Sequence, residues 1–116
     1  MGYDSLADRI SECDCKVAAA IALNGRLPER YILKTELKLH RGFGGSTRGA
    51  RLDMAVIDRE TDRIVLVIET KRSPASKASA QGERYGKMCA ARVIYLRGMK
   101  ACSECAERVL SALPPG

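Results

Sequence analysis

The chain has 116 residues, enough for one domain around a single modest core and too few for a separate recognition domain. Its 20 Lys plus Arg against 14 Asp plus Glu give a formal charge of +6, which suits a polyanionic partner such as nucleic acid. No segment approaches the roughly 18 apolar residues of a membrane span, and the five Cys lack the regular spacing of a disulfide framework, so a soluble, cytoplasmic protein with reduced thiols is expected.

From Asp4 to Asn24 the residues Leu6, Ile10, Cys13, Val17, Ala20 and Ile21 recur every three or four positions, the spacing of one apolar stripe on a helix. Gly25 ends it. Tyr31 to His40 alternates, with Tyr31, Leu33, Thr35, Leu37 and Leu39 on one side and Ile32, Lys34, Glu36, Lys38 and His40 on the other, as in a strand with one wet face. The segment Arg41 to Gly49 carries four Gly and predicts a mobile basic loop.

Leu52–Ile57 and Ile64–Ile68 are aliphatic, and the polar run Asp58–Arg63 between them predicts an antiparallel hairpin. Ser73-Pro74 has the form of a helix start, with the helix running to about Ala90. Val93–Leu96 is a further buried strand broken by Gly98, and Cys102–Leu113 a final helix closed by Pro114-Pro115. The expected order is helix, three strands, helix, strand, helix in a single domain spanning residues 1–116.

Asp53 and Glu69 lie on the two strands of the hairpin, and their numbers share parity. A turn centred on Thr61 places Asp53 opposite Glu69 and Ala55 opposite Val67, so that both carboxylates leave the same face. Lys71, two residues further, joins them. Two opposed carboxylates on aliphatic strands repel one another and are costly to desolvate. A divalent cation removes the conflict, since carboxylate and carbonyl oxygens are the hard ligands that Mg²⁺ prefers. The structural alternative is a Glu69–Lys71 surface ion pair with Asp53 at a strand start.

The text Arg51-Leu-Asp-Met-Ala-Val-Ile-Asp58, followed by Ile64-Val-Leu-Val-Ile-Glu-Thr-Lys71 with fifteen residues between Asp53 and Glu69, resembles the PD-(D/E)XK nuclease superfamily. Leu52 stands where the motif's name has Pro. The resemblance implies an α/β fold with that family's restriction-endonuclease-like αβββαβ core, a mixed central sheet flanked by helices, here with an extra C-terminal helix. It implies that Asp53, Glu69 and the carbonyl of Thr70 bind Mg²⁺ or Mn²⁺, that Lys71 orients the attacking water, and that the reaction is phosphodiester hydrolysis. A module of the same fold that binds DNA or protein without catalysis is the alternative.

Gln81 and Tyr85, four apart on the expected helix, resemble a Gln-x-x-x-Tyr motif of the recombination and repair branches, in which the Gln lies near the metal and the DNA backbone. A Tyr packed under its helix is the plainer account. Many family members also carry an upstream acidic residue. Three candidates remain here: Glu12 opposite the apolar stripe, Asp14 at its edge, and Glu36, which is favoured because a neighbouring strand can place it beside Asp53. Arg41, Arg48 and Arg51 flank the glycine loop, where guanidinium groups can hold phosphates. His40 stands at the mouth of the same loop. Small relatives often form homodimers, which would suit duplex DNA. Cys102-Ser-Glu-Cys105 with Cys13-Asp-Cys15 admits a zinc reading, but the pairs are equally read as core-facing thiols.

Overall fold

A computed structural model describes residues 5–75, 77 and 79–115. After a short 3₁₀ turn at Leu6–Asp8 the chain forms α1 (Glu12–Leu23), β1 (Tyr31–Leu39), β2 (Ala50–Asp58), β3 (Arg63–Lys71), α2 (Ala80–Cys89), β4 (Arg92–Arg97), α3 (Gly98–Ser103) and α4 (Ala106–Ala112). The four strands make one mixed sheet in the order β1-β2-β3-β4; the first three are antiparallel and β4 runs parallel to β3 through the α2 crossover. No helix among the described residues is long and apolar enough to cross a membrane.

Each face of the sheet carries its own apolar layer. Met54, Val56, Leu66, Ile68, Ile94 and Leu96 pack with Cys15, Ala19 and Leu23 of α1, with Cys102 of α3, with Ala106 and Val109 of α4, and with Cys105 between those two helices. On the other face Leu52, Ala55 and Val67 pack with Tyr85 and Met88 of α2. Burial of such side chains is the main driving force for the fold.

The first helix starts later than its apolar stripe suggests. Ser11 and Asp14 form a capping box, the Ser11 hydroxyl accepting from Asp14 N–H at 3.1 Å and the Asp14 carboxylate from Ser11 N–H at 2.9 Å. Of the expected helix, Asp4 lies outside the described residues, and Arg9 and Ile10 are not helical. The stripe itself faces outward, with Leu6, Ile10, Val17 and Ile21 being 81, 44, 51 and 71 % exposed. The buried face is Cys15, Ala19 and Leu23 instead. Its side chains are mostly small, which lets the helix lie close to the sheet and to α3.

β1 starts where expected and ends one residue early, at Leu39, but it does not keep a single face. Tyr31 and Leu33 pack in the α1 layer, whereas Leu37 and Leu39 pack in the α2 layer. Glu36 lies between them with φ at +56°, a left-handed conformation that non-glycine residues rarely adopt. That single residue turns the strand over.

The loop from Arg41 to Gly49 is a folded turn rather than a free segment. Gly42 N–H donates to Ser46 O at 2.8 Å, Phe43 is half-buried, and Gly44 (φ +61°) lies so close to α2 that a Cβ there would be 1.9 Å from Met88 O. Only glycine fits that approach.

The second helix also begins late. Ser73 accepts from Ala75 N–H at 3.2 Å in a local turn, and Pro74 rests near Gly98, whose added Cβ would lie 3.0 Å from the ring. The helix cap is Ser79, whose hydroxyl accepts from Gly82 N–H at 2.9 Å. Gly98 (φ +88°) opens α3 directly after β4, and the expected final helix is two, broken at Glu104–Cys105.

Candidate metal and phosphodiester site

The hairpin register is irregular in a way that decides the site. Near the turn Asp58 pairs with Arg63 and Ile57 with Ile64, an index sum of 121 that would carry Asp53 opposite Ile68. Val65 is then skipped, and Val56 pairs with Leu66, Ala55 with Val67 and Met54 with Ile68. This β-bulge raises the sum to 122, and the pairing runs to Met54–Ile68, with Asp53 and Glu69 the next residue on each strand. The expected Ala55–Val67 pairing is present, although the turn at the far end is not the one that produces it.

Glu69 is buried, with its residue 5 % exposed, and Lys71 Nζ lies 3.7 Å from its Oε2. Burial pushes its pKa up; the Lys71 ammonium opposes that shift, and the negative charges of Asp53 and Glu12 add to it. The charges of Asp53 and Glu12 therefore both reach Glu69 at this end of the sheet. Asp53 is half-buried and Thr70 is buried beside Glu69.

β1 brings Glu36 to the same place. The pairs Thr35–Met54 and Leu37–Leu52 put Glu36 opposite Asp53. Its carboxylate accepts from Lys16 Nζ at 2.6 Å and lies 3.4 Å from Arg51 Nε, and these two cations hold its pKa below the usual range. Of the other upstream candidates, Asp14 is spent on the helix cap. Glu12, which opposes the outward stripe and so points toward the sheet, acts on Glu69. Both Glu36 and Glu12 thus border the site.

Lys16 is the residue that sequence reasoning missed. Its side chain is 17 % exposed, and its pKa is raised by the Glu36 hydrogen bond and, after the opposing cost of burial, by the charge of Asp53. The signal was present as Glu12-x-x-x-Lys16, one turn apart on a helix.

Gln81 is exposed, and its side-chain amide donates to the Tyr85 hydroxyl. Tyr85 is 4 % exposed and packs in the α2 layer, with the Arg84 guanidinium 5.5 Å from its ring centroid. Its ring is thus buried beneath α2, with the hydroxyl turned to Gln81. Arg41, Arg48 and Arg51 are exposed, the first two on the turn and the third at the start of β2. His40 is also exposed, edge-on to Phe43 with centroids 6.3 Å apart.

Cys13 is exposed while Cys15, Cys102 and Cys105 are buried, so the four do not converge as zinc ligands. Among the described residues no three His, Cys, Asp or Glu side chains form a group able to hold a metal ion. The expected ligand set contains only two such side chains, with a main-chain carbonyl as the third donor. Its donors are all oxygens, the hard type that a divalent cation such as Mg²⁺ prefers.

No protein-family model, curated protein or solved structure matches the chain.

Proposed function

We propose that the chain is a divalent-metal-dependent nuclease of the restriction-endonuclease-like fold, hydrolysing phosphodiester bonds in DNA. The observation that carries this reading is the buried Glu69 on β3, within the electrostatic reach of Asp53 just beyond the last hairpin pair, with Lys71 3.7 Å away two residues further on. The order αβββαβ, with three antiparallel strands and a parallel fourth, agrees with it.

In this reading Asp53, Glu69 and the Thr70 carbonyl hold Mg²⁺ or Mn²⁺. The ion supplies Lewis acidity toward a phosphate oxygen and makes nearby water a better nucleophile at neutral pH. Lys71 orients that water and steadies charge developing on the phosphate. Arg41, Arg48 and Arg51 provide exposed guanidinium groups for backbone phosphates, and the net charge of +6 favours encounter with a polyanion. Gln81, one turn before Tyr85, is the α2 residue assigned to the substrate side.

The test is a cleavage panel of duplex, single-stranded, branched and RNA substrates with Mg²⁺ and with Mn²⁺. Cleavage of DNA is expected, with a loss of roughly 10²- to 10³-fold in Lys71→Ala. Folded protein that cleaves none of the panel, yet retains DNA without a divalent ion, would show a binding module instead.

A further inference from the structure

Lys16 has no place in the proposed reaction, yet it is the best-anchored cation at the site. It projects from α1, only 17 % of the side chain is exposed, and its ammonium sits 2.6 Å from the Glu36 carboxylate. Glu36 itself stands opposite Asp53 in the β1–β2 register. Arg51 also contacts Glu36, from the exposed side at 3.4 Å, with 60 % of its side chain open to solvent. On the far side of Asp53, Lys71 is engaged with Glu69.

We infer that Lys16 is a built-in counter-ion of this carboxylate cluster, held on Glu36 opposite Asp53 when no divalent cation is bound and loosened when one binds at Asp53. The inference rests on the nuclease reading, since it takes Asp53 and Glu69 as the ligands. Its physical basis is competition for one field. Asp53 and Glu36 face each other across adjacent strands, and like charges so placed repel unless a cation stands near them. A lysine ammonium is a compact point charge on a flexible four-carbon stem, suited to filling that place and leaving it. A divalent ion at Asp53 adds positive charge beside the ammonium, so each weakens the hold of the other, and the effect is reciprocal.

The consequence is a metal affinity set below what the carboxylates alone would give, and a site that stays folded without metal. Manganese binding by the full chain, followed by calorimetry, tests this for the wild type, Lys16→Met and Lys16→Arg. Lys16→Met is expected to bind Mn²⁺ about tenfold more tightly, the effect of removing one nearby charge. It should also melt at a lower temperature without the ion and gain more from its addition. Lys16→Arg, which keeps the charge, should stay close to the wild type. A second measurement uses the wild type alone: the Lys16 Nζ protons, held against Glu36, should exchange faster with water on saturation with Mg²⁺, with exposed Lys34 as the reference.

Unchanged or weaker Mn²⁺ binding in Lys16→Met, or Lys16 proton exchange indifferent to Mg²⁺ in a protein that binds it, overturns the counter-ion while leaving the nuclease reading intact. Absence of Mn²⁺ binding in both wild type and Lys16→Met overturns the two together.

Discussion

Glu36 and Asp53 face each other across β1 and β2 at the point where both strands change the layer they pack in. On β2, Leu52 packs beneath α2 and Met54, two residues on, beneath α1, just as Leu37 and Leu33 do on β1. Strained backbone of this kind persists only where the surrounding structure holds it. It lies beside the candidate site.

The left-handed φ at Glu36 yields a clean comparison, because Glu36→Gly and Glu36→Ala both remove the carboxylate but only glycine relieves the backbone. Glu36→Gly should be the more stable of the two by about 1 kcal/mol in chemical denaturation. Equal stabilities would mean that the strand does not turn over at this residue.

The outward stripe of α1 separates the two possible helix faces. Ile21→Ser should change stability by no more than about 0.5 kcal/mol, since the side chain is 71 % exposed. Leu23→Ala, at 2 % exposure, should cost roughly 2–5 kcal/mol. The reverse order would restore the helix face expected from the sequence.

At the hairpin end, Asp58 is a structural counterpart to the site acids. Arg30 donates to its Oδ2 through Nη2 at 2.8 Å and Nε at 3.0 Å, and Glu60 N–H donates to Oδ1 at 2.9 Å. These bonds, the Arg30 guanidinium first, bring its pKa from 3.8 down to about 2. A depressed carboxyl pKa means that the unfolded chain binds more protons over this interval, so stability rises with pH. The contribution is complete above the ordinary value and is lost as pH falls from there toward about 2. In an acid titration followed by circular dichroism, Asp58→Asn should lose part of the wild-type pH dependence in this window. An unchanged slope would remove the pair from the account of acid stability.

Thiol reactivity should follow the packing of the first layer. Cys13 is exposed, whereas Cys15, Cys102 and Cys105 are buried together, with burial pushing the Cys102 thiol up to about 12. One equivalent of a thiol reagent at neutral pH should therefore label Cys13 first, with the three core thiols reacting only as the chain opens. Rapid native labelling of Cys102, read by peptide mass, would contradict that packing.

The element order and the hairpin strands were legible in the sequence, because aliphatic runs bounded by polar turns leave few alternatives. Helix starts were less so. Ser73-Pro74 and Ser79 both carry start signals, and it is Ser79 that caps the helix. The face of α1 was misread because Ala18, Ala19 and Ala20 fill its middle with small apolar side chains, leaving the larger Val17 and Ile21 to dominate the pattern. Burial of the small face follows from close approach to the sheet and α3, which periodicity does not encode.

The same division runs through Asp53 and Glu69. Their chemistry and shared parity are properties of the sequence, and they were enough to single out two acids and Lys71. Their approach is a tertiary matter: the hairpin turn alone gives an odd register that misses the pair by one residue, and the bulge at Val65 restores the even register as far as Met54–Ile68, next to the two acids. Lys16 and Glu12 join them only because α1 packs on its small-residue face. Local propensity fixes which strands and helices form, but register and helix rotation are set by how side chains from distant segments fill one core.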